Sequence, residues 1–259
     1  MELKEKISDI INENKGDVGV VVKNLNTDST IMINEEEVFP SASTIKLVII
    51  STLMKEVSKG IMKLDDKIVL TNKCKCGGDG ILKELNDGKS FTLKEIATLM
   101  IILSDNTATN ILIDLLSMEK INEMAKELNL PNTQLRRKMM DSEAARMGRE
   151  NVTTAKDMCH ILELIYKGKV VSEEYSDIIL DILKRQQVGG RLNLYLPEEI
   201  TIAHKTGDLD KLEHDVGIVY HQHCNYIICV LTKNVETNKD GREIIGKVSL
   251  QVYNNVEQI

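Results

Sequence analysis

Stretches with the pattern of β-strands lie at both ends of this chain, and a long, mainly helical segment separates them. Residues 19–22 and 30–33 bracket a polar turn and predict a β-hairpin near the N-terminus. Near the C-terminus, β-branched runs at 200–206, 215–220 and 226–232 predict three more strands. A lone hairpin is marginally stable in water, so we expect both ends to join one antiparallel sheet of about five strands.

This distribution predicts an α/β (α+β) fold with two subdomains, in a single domain that spans residues 1–259. The sheet and its flanking helices are expected from residues 1–40 and 192–259. An all-α subdomain is expected from residues 41–191, where helical spacing breaks near residue 104 and resumes immediately afterwards.

The composition is that of an ordinary globular protein, with 42% hydrophobic and 28% charged residues in a chain of 259. A net charge of −7 and only 3% aromatic residues argue against nucleic acid or an anionic membrane as a partner. No apolar stretch is long enough for a transmembrane helix. Residues 1–15 have the pattern of a charged amphipathic helix, so the sequence as it stands predicts a cytoplasmic protein, or a secreted one if a leader has been removed.

The five cysteines and the paired histidines do not form a metal-binding pattern. An odd cysteine count argues against a disulfide framework, and Cys74 and Cys76 have the wrong spacing for a zinc knuckle. His221 and His223 fall in a predicted polar connection between strands. We therefore expect neither a metal nor a cofactor.

Three short polar motifs stand at the edges of predicted elements: S-T-I-K at 43–46, S-D-N at 104–106 and K-T-G at 205–207. Each motif is common by itself, and a second S-x-x-K at 117–120 has the pattern of ordinary helix surface. A helix cap, a helix-breaking turn and a strand-end turn would explain the three separately. Together and in this order they predict a serine acyl-transfer site, because a motif becomes specific in the right structural context.

Ser43 and Lys46 stand three residues apart at the start of a predicted helix, so their side chains can come within hydrogen-bond reach. A serine hydroxyl is a poor nucleophile until an adjacent base takes its proton. Lysine can act as this base if its ammonium form is destabilised. A helix N-terminus, partial burial and a second cation such as Lys205 all act in that direction.

Nearly the whole chain resembles the class A β-lactamases and the related penicillin-binding proteins, in which these three motifs occur together. The resemblance extends to residues 80–83 (G-I-L-K), 91–95 (F-T-L-K-E) and 104–110 (S-D-N-T-A-T-N). It implies a β-lactamase-like fold and a small-molecule substrate, either a β-lactam or a peptidoglycan-like compound. We expect a monomer without a nucleic-acid partner.

The resemblance also implies a role for each motif residue. Ser43 is the expected acylated nucleophile, and Lys46 the base or proton relay for acylation. Ser104 is the expected proton shuttle to the leaving nitrogen, and Asn106 the ligand of the substrate side-chain amide. The remaining positions are expected to bind the substrate: Lys205, Thr206 and Gly207 around its carboxylate, and the backbone N–H groups of Ser43 and Asp208 at the oxyanion.

One departure from the family concerns the second half of the reaction. Class A enzymes hydrolyse the acyl-enzyme with a water activated by a glutamate on an Ω-shaped loop. Aligning Arg137 with the arginine at the neck of that loop places Met139 at the glutamate position and Met140 where a proline usually follows. A thioether cannot take a proton from water. Asn151 replaces the aspartate at the opposite side of the neck, so the usual ion pair there is expected to be missing.

Other acids could supply the missing base only if the loop folds differently. Asp141, Glu143 and Glu150 are the candidates, and each would have to reach within about 3 Å of a water near the ester carbonyl. The simpler interpretation is that they are solvated loop charges. Asp208 also departs from the pattern, because an acid beside the oxyanion site disfavours an anionic substrate group unless it points away.

The sequence therefore predicts a serine hydrolase of the β-lactamase type that opens β-lactams, or a related amide or ester, through an acyl-Ser43 intermediate. Because Met139 replaces the glutamate, deacylation is expected to be impaired. Two alternatives remain open. One is a penicillin-binding peptidase or esterase-like protein that releases its acyl group slowly, and the other is a non-hydrolytic sensor of β-lactams or peptidoglycan fragments.

Overall fold

The computed structural model describes residues 2–259. The helices are α1 (Leu3–Asn12), α2 (Lys46–Ser58), α3 (Leu93–Ile102), α4 (Asn106–Leu116), α5 (Met118–Glu127), α6 (Ser142–Arg146), α7 (Ala155–Tyr166), α8 (Glu173–Lys184) and α9 (Asn238–Asn254). The strands are β1 (Asp17–Asn24), β2 (Thr30–Ile33), β3 (Phe39–Pro40), β4 (Lys67–Val69), β5 (Ser90–Thr92), β6 (Val152–Thr153), β7 (Ile202–Leu209), β8 (Leu212–Val219) and β9 (Tyr226–Lys233). No helix within residues 2–259 is long and apolar enough to cross a bilayer.

The two ends of the chain form one five-stranded antiparallel sheet with the order β2-β1-β9-β8-β7. Strand β1 lies between β2 and β9, and Val21 pairs with Cys229 at the junction of the N-terminal and C-terminal parts. The predicted sheet is therefore confirmed, including its five strands. Strand β7, which carries the K-T-G motif, lies at an edge of this sheet, so one of its sides is available to other groups.

The sheet is covered by apolar side chains on both faces. Val20 and Val22 of β1 pack into a cluster with α1 and α9, whereas Val21 packs into a second cluster with the central helices. This alternation follows from the period of two in a β-strand. The second cluster is the larger, and it surrounds α2, in which most side chains are buried.

The segment between residues 41 and 191 contains the helices α2 to α8, short strands and the loops that connect them. Strand β4 pairs with β5, and β3 pairs with β6. The sequence predicts an irregular segment at 129–152, and the structure places one short helix, α6, within it. A 3₁₀ turn at Ala42–Ile45 precedes α2, so Ser43 lies in a tight turn and Lys46 begins the α-helix proper.

Candidate active site

The three motifs meet at one cavity of about 410 Å³. It lies between the turn before α2, the start of α4, the end of β7, the loop before residue 80, and the loop that connects Arg137 with Asn151. Its walls include Ser43, Gly78, Asp79, Asn106, Arg137, Met139, Met140, Glu150, Asn151 and Asp208. The side chains of Lys46, Ser104 and Lys205 lie beneath this surface and are buried.

Ser43 points into the cavity from a constrained turn. The residue is 9% exposed, and its hydroxyl has no hydrogen-bond partner within residues 2–259. The preceding residue, Ala42, has φ of 44°, in the left-handed region that an L-residue seldom adopts. Gly207 permits the close approach of β7, because a Cβ at that position would lie 2.9 Å from the Ser43 backbone nitrogen. A serine hydroxyl that has no partner and opens into a cavity can attack a carbonyl once a base takes its proton.

Ser104 connects the two lysines of the site. Its hydroxyl lies 3.0 Å from Lys46 Nζ and 3.1 Å from Lys205 Nζ, and both lysine side chains are fully buried. Lys46 also donates to the Ser104 carbonyl at 2.7 Å and to Asn106 Oδ1 at 3.1 Å. Lys205 completes its contacts with the Thr206 carbonyl at 2.8 Å. Ser104 has φ of 52°, so the backbone itself is bent to hold this position.

The expected hydrogen bond between Ser43 and Lys46 is absent from the bonds within residues 2–259. Lys46 instead directs its three donors at Ser104 and Asn106. A neutral amine has only two N–H groups, so loss of a proton from Lys46 breaks one of these bonds and frees a lone pair as an acceptor. In this structure the partners of Lys46 Nζ are therefore Ser104 and Asn106, and Ser43 is not among them.

Burial favours the neutral form of both lysines. The pKa of Lys46 is lowered well below 10.5, first by burial and then by the cationic Lys205. Burial also lowers the pKa of Lys205 to about 7, although Asp215 opposes the shift. The prediction that burial and a second cation would destabilise the Lys46 ammonium agrees with this arrangement.

Asp105, the middle residue of the S-D-N motif, joins the start of α4 to the loop at residues 81 and 82. Its buried carboxylate caps α4 through Ala108 N at 2.9 Å. It also accepts hydrogen bonds from Ile81 N at 2.7 Å and Leu82 N at 2.8 Å. Gly80 makes this approach possible, since it has φ of 105° and a Cβ there would lie 2.2 Å from Asp105 Cγ. Sequence reasoning did not identify this anchor.

Asn110 fixes the backbone of Met139 at the wall of the cavity. Its side-chain oxygen accepts from Met139 N at 2.8 Å, and its nitrogen donates to the Met139 carbonyl at 3.1 Å. The Met139 side chain is 8% exposed and lines the cavity. Asn110 was not identified from the sequence as part of the site, although it ends the 104–110 stretch that resembles the family.

The alternative acids are not placed as a base would be. Asp141 caps α6 through Ala144 N at 2.9 Å, and neither Asp141 nor Glu143 lines the cavity. Glu150 lines it, but both of its oxygens bond Arg137, with Nε and Nη2 each at 3.0 Å. The side chains that face Ser43 from this loop therefore include the thioether of Met139 and a carboxylate already paired with Arg137.

The prediction that the loop neck lacks an ion pair is wrong. Arg137 pairs with Glu150, one residue before the expected position, at a closest distance of 2.7 Å. Asn151 contributes in another way, because its side-chain oxygen accepts from Arg136 N at 2.7 Å and Arg137 N at 3.0 Å. The neutral amide satisfies backbone donors while the neighbouring glutamate supplies the charge.

The end of β7 carries Asp208 and a buried charge network. Asp208 accepts from Arg191 Nη2 at 3.0 Å, and Arg191 also bonds the buried Glu213 at 2.6 Å. Part of the Asp208 charge is therefore neutralised by Arg191. His204 bonds Asp215 at 2.8 Å and has no hydrogen bond to Lys205 within residues 2–259, as the alternation of the strand predicts.

A family model described as the β-lactamase enzyme family matches residues 2–256. The chain belongs to this family. A β-lactamase of Proteus vulgaris is 27% identical over 254 residues, covering 95% of this chain and 93% of its own length. The β-lactamase VEB-1 of Pseudomonas aeruginosa is 24% identical, covering 96% of this chain and 88% of its own.

Solved structures of the family agree with this assignment. A β-lactamase from Sphaerobacter thermophilus superimposes with a TM-score of 0.91 at 29% identity, covering 100% of this chain and 98% of that one. A point mutant of PBP-A, solved as an acyl-enzyme complex with penicillin G, has a TM-score of 0.90 at 29% identity and covers 99% and 97%. The present chain is therefore a hydrolase of the serine β-lactamase type, with the β-lactamase fold that the sequence predicts.

We predict that Asp105→Ala destabilises the protein by about 3 kcal/mol, because three backbone N–H groups, two of them buried, lose their acceptor. Asp141→Ala is the matched control, since it removes a helix cap with one hydrogen bond on the surface and should cost about 1 kcal/mol. Urea unfolding measured by circular dichroism gives both values. Equal losses in the two variants would contradict the anchoring role of Asp105.

Proposed function

We propose that this protein opens the amide bond of β-lactams by acyl transfer to Ser43 and that it hydrolyses the resulting ester slowly. The observation that carries the proposal is a buried pair of lysines sharing the Ser104 hydroxyl beneath an unpartnered Ser43, with Met139 in the facing wall. The acyl-enzyme of the related PBP-A mutant with penicillin G supports the first step.

Acylation follows from the positions of the polar groups. The amine of Lys46 takes the Ser43 proton, and the hydroxyl oxygen forms a bond to the lactam carbonyl carbon. The backbone N–H groups of Ser43 and Asp208 receive the negative charge that develops on the carbonyl oxygen. Ser104 then gives its proton to the lactam nitrogen as the C–N bond breaks, and the neighbouring lysines restore that proton.

Substrate binding uses the groups at either side of Ser43. The ammonium of Lys205, with Thr206 and the close backbone of Gly207, would hold the substrate carboxylate. Asn106 would bind the amide of the acyl side chain, because its own amide faces the cavity beside Gly78. A small β-lactam or peptidoglycan-like compound fits a cavity of about 410 Å³.

Deacylation lacks a base in the expected place. Hydrolysis of the ester needs a group that takes a proton from water, and the thioether of Met139 cannot do so. Glu150 is engaged with Arg137 through both of its oxygens, so neither oxygen is free of a partner as that of a general base would be. A penicillin-binding peptidase with slow acyl release is the second candidate function, and Met139 is the observation that favours it.

We further propose that residues 1–259 act as one catalytic unit and a monomer. In this unit the sheet part, formed by residues 1–40 and 192–259, carries Lys205, and the part at 41–191 carries Ser43, Lys46 and Ser104. The site lies where these two parts meet, so neither part holds all of the proposed catalytic groups.

We predict that penicillin G leaves a lasting adduct on the protein, with a mass gain equal to that of the drug. Intact-mass spectrometry over minutes to hours measures this adduct, and Ser43→Ala is the control that should lose it. Rapid loss of the drug without an adduct would contradict slow deacylation. Neither adduct nor drug loss would contradict acyl transfer to β-lactams altogether and favour a sensor role.

Met139→Glu is predicted to raise steady-state turnover of penicillin G by about 100-fold, the usual contribution of a general base. Asn110 bonds only the backbone of residue 139, so the new carboxylate should stand in the same wall of the cavity. Met140→Glu is the matched control: it adds the same charge to an exposed neighbour that also lines the cavity. Equal gains in the two variants, or intact acylation without faster turnover in Met139→Glu, would contradict the assignment of position 139.

The acylation rate should fall as pH rises through about 7, because the pKa of Lys205 is about 7 and the neutral amine cannot hold a carboxylate. The second-order rate constant of acylation, measured by stopped-flow between pH 5.5 and 9, reports this loss in the free enzyme. Lys205→Arg should flatten the alkaline side, since a guanidinium stays charged over this range. If the acylation rate constant of Lys205→Arg fell with rising pH as steeply as that of the native protein, the titrating group would not be Lys205.

A further inference from the structure

The mouth of the cavity carries more acid than base. The acids that line it are Asp79, Glu150 and Asp208, whereas Arg137 is the only cation lining it within residues 2–259. Glu150 is paired with Arg137, and Asp208 is paired with Arg191. The carboxylate of Asp79 is exposed and has neither a hydrogen bond nor an ion pair within residues 2–259. One acid at the mouth therefore has no ion-pair partner among the described residues.

The lysines beneath the cavity feel the charge of Asp79, which opposes the lowering of the pKa of both, but neither lysine forms an ion pair with it within residues 2–259. Lys46 and Lys205 are fully buried and direct their hydrogen bonds at Ser104, Asn106 and the Thr206 carbonyl. Burial lowers the pKa of both groups, which reduces their average positive charge near neutral pH. An anionic group near Asp79 would thus meet repulsion from the rim, whereas a cation would be attracted.

Asp79 shares its cavity with a second polar group that has no partner in the protein. Ser43, which is nine-tenths buried and lacks a hydrogen-bond partner, opens into the same cavity as Asp79. Ser43 and Asp79 therefore line one cavity, and a substrate that reaches Ser43 shares this cavity with the Asp79 carboxylate.

The backbone around Asp79 fixes its place relative to Asn106. The Asp79 carbonyl accepts from Asn106 N at 3.0 Å, and Asn106 Nδ2 donates to the Gly77 carbonyl at 3.3 Å. Gly78 lies directly against the Asn106 amide, where a Cβ would come within 2.4 Å of Nδ2. If Asn106 binds the amide of the acyl side chain, Asp79 lies next to the substituent that this amide carries.

We infer that the site selects substrates whose acyl side chain carries an ammonium group and that Asp79 is the residue that binds it. This inference rests on the proposed acyl transfer to Ser43. The substrate class is an amide with a cationic amine close to the acyl side-chain carbonyl, and an anionic group at the same place is disfavoured. Asp208 lies on the same rim but is paired with Arg191, so its contribution to the selection is expected to be smaller than that of Asp79.

The wall near Asp79 also suits an apolar group beside the amine. Met140 has φ of 62° and lies over Gly78, where a Cβ would come within 2.9 Å of its sulfur. Met139 lines the same cavity. Thioethers pack well against aromatic rings. An aryl ring and an ammonium group on one carbon would therefore meet the methionines and Asp79 at the same time.

Three penicillins that differ in one substituent test this inference: the benzyl, α-aminobenzyl and α-carboxybenzyl forms. The second-order rate constant of acylation is measured for each by intact-mass spectrometry, in the native protein and in Asp79→Asn. We expect the amino form to acylate the native protein about tenfold faster than the carboxy form, a factor that corresponds to about 1.4 kcal/mol. In Asp79→Asn this ratio should fall to about a third of the native value or less.

Comparing native and variant ratios cancels the different intrinsic reactivities of the three drugs. Glu143→Gln is the matched control, because it removes an exposed acid near the cavity that does not line it, and its ratio should equal the native one. Raising the salt concentration to about 0.5 M should also lower the native ratio, since screening shortens the reach of surface charge.

The outcomes separate the two proposals. Acylation by all three drugs with the same ratio in the native protein and Asp79→Asn would overturn the role of Asp79 and leave acyl transfer standing. An equal fall of the ratio in Glu143→Gln would also overturn it, because the effect would then belong to net charge. Failure of all three drugs to acylate Ser43 would overturn the proposed function and this inference with it.

Discussion

The site depends on two buried lysines that share one serine hydroxyl. Lys46 lies at the start of α2, Ser104 in the turn before α4 and Lys205 on β7. The hydrogen bonds from both Nζ atoms to Ser104 Oγ therefore join the helical part to the edge of the sheet. Two cations so close together and away from water repel one another, and burial further disfavours the charged forms. Proton loss from one lysine relieves that repulsion, and in the proposed acyl transfer the same event would supply the base for Ser43.

Backbone strain is concentrated around this contact. Ala42, Ser104 and Met140 all have positive φ, and each borders the cavity or the lysine pair. A non-glycine residue in this region costs roughly 1 kcal/mol or more, so the surrounding structure must enforce it. The hydrogen bonds of the Asp105 carboxylate support the backbone next to Ser104, and those of the Asn110 amide support the backbone next to Met140. The strain and its supports therefore form one arrangement that keeps Ser43 presented to the cavity.

The sequence predicted the parts of this molecule that depend on local pattern. Alternating and helical periodicities located the strands, α2 and the break at Ser104, because burial of one face imposes those periods. Contacts between remote segments were harder to predict. The pairing of Arg137 with Glu150 and the partners of Lys46 depend on side-chain directions that motif spacing does not determine. Gly80 was a readable signal of close packing, but its partner Asp105 could be identified only in three dimensions.

Position 139 shows why a family fold does not by itself settle turnover. Asn110 holds the residue through backbone atoms alone, while the Met139 side chain is largely buried against the core cluster of the central helices. Two residues share the neck of this loop. Glu150 supplies the negative charge that pairs with Arg137, and Asn151 supplies the acceptor for backbone N–H groups at the position where the family has an aspartate. Stability and chemistry are thus assigned to different atoms of the same loop. Met139 therefore occupies the wall of the cavity within an intact family fold, and its thioether leaves the proposed hydrolysis of the acyl group without a base at that position.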